Sequence, residues 1–219
     1  MCPSVPSEEL YRKLLHGLVI VLPIGIFYSP DYFDFDRWSV CFFTLGILGV
    51  SLLVEGFRFR SNAFGVWYFK TFGSMLRVEE KDQLTGATYI AGACLFSSSL
   101  SLISEQLAAC AFLGLTLFIL GDAIAALVGK SIGRTRVGSK TMEGALANFL
   151  LCFILTFWVF PELPDFLTKL GSELTVFKAL LISFSVALFE LFPLRLGSWK
   201  LNDNLYVPVL VSWVTFLLS

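Results

Sequence analysis

Two carboxylates, Asp122 and Glu143, stand near the ends of the stretch GDAIAALVGKSIGRTRVGSKTMEG, residues 121–144. Asp122 lies inside an apolar run that reads as a membrane helix. The chain leaves that run at Gly129, carries Lys130, Arg134, Arg136 and Lys140, and re-enters an apolar run with Glu143 one turn in. Mg²⁺ takes oxygen ligands, typically one or two carboxylates together with substrate phosphates. Lys130, Arg134 and Lys140 would neutralise such phosphates, while glycines at 121, 129, 133 and 138 would let backbone N–H groups approach them. Thr141, at the expected start of the next helix, adds an N-terminal anion site. The pattern predicts a site for a metal-bound polyphosphate.

Two other motifs overlap these residues. Gly129-Lys130-Ser131 imitates the end of a Walker A loop, but Ile124 stands where its first glycine belongs, so that loop is not predicted. Gly129 and Gly133 also have the spacing of a small-residue helix contact. Among so many charges at a span's end, the phosphate loop is the favoured expectation.

The composition says what kind of frame positions these groups. Hydrophobic residues make up 56% of the 219, charged residues 15%, and mean hydropathy is +0.78. Apolar runs of about 18 residues or more recur along the chain, which marks an all-α integral membrane protein. A β-barrel would alternate instead. A single polytopic domain over 1–219 is expected, with about seven transmembrane helices. These are Leu14–Tyr28 (bent by Pro23), Trp38–Phe57, Leu84–Ile103, Leu107–Val128, Met142–Phe160, Leu174–Phe192 and Leu205–Leu218. Residues 58–83 mix basic side chains with Phe64, Trp67 and Tyr68, as an amphipathic segment on the cytoplasmic membrane surface does. Leu84-Thr85-Gly86-Ala87 opens a small-residue run suited to close helix approach. Glu105 and Gln106 are read as a tight turn, and no internal repeat is evident. The first apolar run reads as a retained span, not a signal peptide. The five cysteines lack zinc-ligand spacing and read as small packing residues.

Placing the N-terminus in the cytoplasm leaves Arg37, Lys169 and Lys178 outside and the remaining thirteen of the 16 Lys and Arg inside. The positive-inside rule therefore predicts a cytoplasmic N-terminus, an outside C-terminus and a cytoplasmic 121–144 loop. His16, Glu55, Asp122, Glu143, Glu190 and Asp203 then share one layer just inside the cytoplasmic leaflet. An ionisable residue in a span is costly and marks a functional site by default. Structural readings compete: Glu55 or Glu190 as a partner for Arg58 or Arg195, Asp203 as a helix cap, His16 as an interfacial residue. Asp122 lies one to two turns inside Gly129, too deep for its short side chain to snorkel.

The chain resembles the CTP-dependent lipid kinases, which comprise dolichol kinase, phytol kinase and yeast-type diacylglycerol kinase. The likeness covers most of the chain. It is carried by Glu9-x-x-Arg12-Lys13-x-x-His16, by Leu84-Thr85-Gly86-Ala87-Thr88-Tyr89, and by Asp203-Asn204-Leu205-x-x-Pro208. Two central blocks carry most of it: Gly121-Asp122-Ala123-x-Ala125-x-x-x-Gly129-x-x-x-Gly133-Arg134, then Lys140-Thr141-x-Glu143-Gly144. The resemblance implies that CTP binds over 122–140 and that a membrane lipid alcohol (polyprenol or dolichol, phytol, or diacylglycerol) receives its γ-phosphate. It implies Mg²⁺ on Asp122 and Glu143, with Asp203 or Glu55 helping. Lys130, Arg134 and Lys140 would hold phosphates, with Lys140 or Arg134 stabilising the transferring group. Asp203 or His16 would be the base. The chain lacks the extra N-terminal spans of eukaryotic dolichol kinases. The expected setting is the endoplasmic reticulum or bacterial inner membrane, with the active site facing the cytoplasm and no nucleic-acid partner.

Two other functions compete. A CTP:phosphatidate cytidylyltransferase shares CTP, Mg²⁺ and a multi-span body, but its lysine- and aspartate-rich C-terminal signature is replaced here by LNDNLYVP. A transporter of phosphorylated metabolites should show repeated halves and polar groups at the midplane, whereas this polar layer is one-sided.

Overall fold

In the computed structural model, which describes residues 17–73, 76, 78–196 and 199–219 (backbone alone at 78, 79, 195, 196, 199 and 200), helices dominate. They are α1 (Val21–Tyr32), α2 (Arg37–Arg60), α3 (Asn62–Phe72), α4 (Gly86–Ser101), α5 (Glu105–Ser131), α6 (Met142–Ile154), α7 (Phe166–Leu170), α8 (Val176–Leu191) and α9 (Asp203–Leu218). A π turn over Leu155–Val159 and a 3-10 turn over Phe160–Glu162 prolong α6. Three helical stretches are long and apolar enough to cross a membrane: Arg37–Arg60, Glu105–Ser131 and Met142–Glu162. Helices α4, α8 and α9 have 16 residues each, fewer than the roughly 20 that a straight span needs. The described residues thus form an all-α protein with three candidate membrane spans by length and composition.

Helix α5 is the hub. It is apolar around its whole circumference, and such a helix belongs in the interior. Leu113, Leu115, Leu117, Phe118 and Ile119 are all fully buried, and α1, α4, α6, α7, α8 and α9 pack around it. Helix α2 shows the opposite pattern. Its large apolar side chains Phe42, Phe43, Val50 and Leu53 are exposed, as residues facing lipid would be. It binds α4 through hydroxyls: Thr44 with Ser98 and Ser51 with Thr88, both at 2.7 Å. The small residues of α4 permit this approach, with Ala93 and Cys94 wholly buried.

Local signals explain the boundaries. Pro23 cannot donate to Val19, whose carbonyl accepts from Leu22 at 2.9 Å instead, so the helical path turns at 19–20 before α1. The expected turn at Glu105–Gln106 falls earlier. Ser104 caps α5 by accepting from Leu107 N at 3.1 Å, which places Glu105 in the first turn, where the helix dipole favours an acid. The 58–83 segment contains α3, whose Val66, Trp67 and Phe72 are exposed. At the opposite end of α2 from Arg58, Arg37 pairs with Glu105, and Lys169 pairs with Asp31 and Glu105.

The two hairpins were not foreseen. β1 (Arg136–Val137) pairs with β2 (Lys140–Thr141), and β3 (Arg195–Leu196) pairs with β4 (Trp199–Lys200), in the same register. Each pair of strands flanks a Gly-Ser in the sequence, Arg136-Val137-Gly138-Ser139 and Arg195-Leu196-Gly197-Ser198. A short repeat therefore exists where none was expected: helix, hairpin, helix, once from α5 to α6 and again from α8 to α9. Helices α5, α6, α8 and α9 pack as a four-helix ring, each against the next.

Candidate functional site

The β1–β2 hairpin sits at one end of this ring. Gly138 has φ +61°, with Ser139 following in an ordinary conformation, which suits a type II′ turn with glycine first. Met142 N donates to Thr135 O at 2.9 Å, closing the base of the hairpin. Thr141 caps α6 by accepting from Gly144 N at 3.2 Å. Glu143 reaches back and accepts from Thr135 N at 3.0 and 3.3 Å. Glu143 therefore stabilises the loop directly. Lys130, Arg134 and Arg136 are exposed around it.

The glycines serve differently from the expectation. A Cβ on Gly129 would lie 2.6 Å from Thr141 Oγ1, and one on Gly144 would lie 2.5 Å from the carbonyl of Ala125. Asn148 fills the corresponding space at Gly121, and Gly133 packs on the carbonyl of Gly129, to which its own N–H also donates. These positions let α5, the hairpin and α6 approach closely. Of the four glycines expected to open backbone to phosphate, only Gly138 has open space around it. Gly129 and Gly133 both pack against Thr141 of β2, so they serve close packing of the hairpin on the end of α5.

Beneath the hairpin lies a charged cluster. Lys140 Nζ is 3.1 Å from Asp203 Oδ2 and 3.4 Å from Glu190 Oε1. Burial pushes this ammonium's pKa down, but the carboxylates of Glu190, Asp203 and Asp122 overcome that, and the net shift is upward. Asp122 and Glu190 are each 5% exposed. Asn202, not Asp203, caps α9 by accepting from Asn204 N at 3.0 Å, which leaves the Asp203 carboxylate for Lys140. Asn148, wholly buried on α6, donates to Glu190 Oε2. Tyr206 Oη donates to Phe189 O at 2.7 Å and so ties α9 to the end of α8.

Glu55 belongs to a neighbouring network. Its Oε2 takes Arg58 Nε at 2.6 Å, and its Oε1 takes Thr85 N at 2.9 Å and Thr88 Oγ1 at 3.2 Å. Arg58, 4% exposed, also donates to the carbonyls of Glu80, Lys81 and Gln83. Glu80 accepts from Gly86 N at 2.9 Å, and Asn204 Nδ2 donates to Gly86 O at 3.1 Å. Arg58 is thus the partner of Glu55, and the network ends one residue from Asp203. His16, like Glu9, Arg12 and Lys13, lies outside the described residues.

Lys140 therefore pairs with Asp203 and with Glu190, and the charge of Asp122 also acts on it. Glu143 and Glu55 have their own partners. Among the described residues, no three His, Cys, Asp or Glu side chains meet at metal-ligand spacing. The expected set Asp122, Glu143 and Glu55 is not assembled as a cage. What is gathered is acidic: the carboxylates of Glu190, Asp203 and Asp122 all act on the Lys140 ammonium. That donor set fits Mg²⁺ carried in on phosphates, which needs only one or two protein carboxylates. Sequence reasoning missed Asn148. Its signal was present, because it is the one amide side chain in the run Met142–Phe160.

Comparison with known proteins adds a distant relative. An uncharacterized protein of Rickettsia prowazekii (strain Madrid E) is 23% identical over 205 residues, covering 92% of this chain and 90% of that protein. The similarity spans nearly all of both chains and so concerns the whole bundle. No family model matches the chain, and no solved structure matches it.

Proposed function

We propose that this protein is a CTP-dependent, Mg²⁺-dependent kinase that transfers the γ-phosphate of CTP to the hydroxyl of a membrane lipid alcohol. The observation that supports this most is Lys140, held between Glu190 and Asp203 in the field of Asp122, directly under an exposed basic hairpin. In this reading about seven helical segments cross or enter the bilayer, the N-terminus is cytoplasmic, and the hairpin faces the nucleotide pool.

Phosphoryl transfer demands positioning and charge neutralisation more than covalent chemistry from the protein. Lys130 and Arg134 would draw the polyphosphate to the exposed hairpin. Lys140 would leave its carboxylates in part to meet the γ-phosphate, where an ammonium stabilises developing charge. Asp122 and Glu143 would be the carboxylates that hold Mg²⁺. Mg²⁺ would supply charge neutralisation on the β- and γ-oxygens. Asp203, freed by Lys140, would accept the proton of the lipid hydroxyl. The acids sit at the end of an apolar bundle, the depth at which the head of a lipid with buried tails would lie.

The test is phosphate transfer by purified protein in detergent, given each of four labelled nucleotides, Mg²⁺ and a panel of lipid alcohols. The expected outcome is a lipid phosphate and CDP from CTP alone, abolished by Asp122→Ala and by EDTA. Formation of a CDP-lipid and pyrophosphate from phosphatidate would replace this reading with a cytidylyltransferase. Full transfer after either treatment would remove the metal from it.

A further inference from the structure

A primary amide buried in an apolar helix face is costly unless its donors and acceptor are satisfied. Asn148 meets that condition in a particular way. Its Nδ2 donates to Glu190 Oε2, and its Oδ1 accepts from Cys152 Sγ at 3.1 Å. The opposite amide orientation would set oxygen against carboxylate, so the donor direction is determined by its neighbours. Gly121 has no side chain, and the Asn148 amide occupies the space a Cβ would need. Asn148 is therefore clamped between α5 and α8, with no exposed surface.

Glu190 divides its two oxygens. Oε2 is taken by Asn148, and Oε1 meets Lys140 Nζ at 3.4 Å. The amide thus sets the plane of the carboxylate from the interior, and the carboxylate presents its other oxygen to the ammonium. Lys140 also pairs with Asp203 at 3.1 Å, and its side chain keeps 24% of its surface exposed. We infer that Asn148 is a positioning residue: through Glu190 it sets where the Lys140 ammonium is parked. The kinetic consequence rests on the phosphoryl-transfer reading; the positioning itself does not.

The two are separated by two measurements on full-length protein in detergent. The first is amine acetylation of Lys140 read by mass spectrometry, with exposed Lys70 as the internal reference. Lys140 should label several-fold more slowly than Lys70 in the wild type. Asn148→Leu and Glu190→Gln should each raise its rate several-fold, and the double variant should go no further than the faster single, because the two groups act in series. Glu190→Gln keeps the side chain's volume and carries the test if Asn148→Leu fails to fold. The inference is overturned if Glu190→Gln speeds labelling and Asn148→Leu does not, or if neither changes it. The second measurement is phosphate transfer. Asn148→Leu should lower kcat by about 10–100-fold, the usual effect of losing an orienting second partner, with KM for CTP within about twofold. Equal losses in kcat and in CTP binding would count against a positioning role. A wild type that transfers no phosphate defeats the proposed function, and the labelling result still decides the role of Asn148.

Discussion

Removing the guanidinium of Arg58 tests the buried polar network that ties α2 to the 80–85 segment. Arg58 is 4% exposed and 2.5–2.6 Å from Glu55 Oε2 through Nη2 and Nε. It also donates to three carbonyls at 2.6–3.1 Å, and its guanidinium lies 4.3 Å from the centroid of Phe59. Arg58→Met keeps the stem and deletes the donors. Glu55 would then remain as a buried carboxylate supported by Thr85 and Thr88 alone, and the 80–83 carbonyls would lose their donor. Breaking a buried pair from one side costs about 3–5 kcal/mol, a large fraction of the roughly 5–15 kcal/mol that holds a domain folded. Denaturant unfolding in a mild detergent, for Arg58→Met, Glu55→Gln and the double variant, measures it. The double variant should lose less than the sum of the singles, with a coupling of about 0.5–3 kcal/mol. An Arg58→Met midpoint within about 0.5 kcal/mol of wild type, or single losses that simply add, would refute the reasoning.

Three further outcomes follow from the packing and the charges. Gly144→Ala should destabilise by about 1–3 kcal/mol, because its Cβ would press on Ala125 O at 2.5 Å, whereas Gly46→Ala, with no atom within 4 Å, should be neutral or stabilising; thermal melts of the pair decide this. The Lys140 pKa is raised, so the stability its ammonium contributes is complete below the ordinary lysine value of 10.5 and is lost only as pH rises beyond it. Lys140→Met should therefore lower the unfolding midpoint by a similar amount throughout neutral and mildly alkaline pH, and a Lys140-dependent loss that begins near neutrality would contradict the ion pairs. Arg37→Ala removes a pair with Glu105, whose side chain is 53% exposed, and should cost no more than about 1 kcal/mol, less still in high salt; a larger, salt-insensitive loss in the same melts would show the cluster to be a structural clamp.

Much of this architecture was written in the amino-acid order. Long apolar runs announce helices because no other local structure satisfies the backbone within so apolar a stretch. The apolar run 107–128 foretold a helix where α5 stands, though not its place as the hub, and the small-residue run 84–93 foretold a close contact of α4, made with α2. Asp122 and Asp203 could be chosen beforehand because charge in an apolar run is expensive and must have a reason, and Lys140 because it stands in the basic loop between two such runs. Other features depended on what faced what. A glycine's role depends on the atom opposite its missing Cβ, so Gly121, Gly129 and Gly133 could be read as phosphate-facing until Asn148, Thr141 and a carbonyl were found against them. The choice between Glu55 as a metal helper and Glu55 as the partner of Arg58 turned on three carbonyls some twenty-five residues away in sequence. Asn148 meets Glu190 across two helices, a contact with |i−j| of 42. Residue type and spacing along one helix are local properties and can be read from the chain, whereas the pairing of a buried polar group belongs to the packing of separate helices and exists only once they have come together.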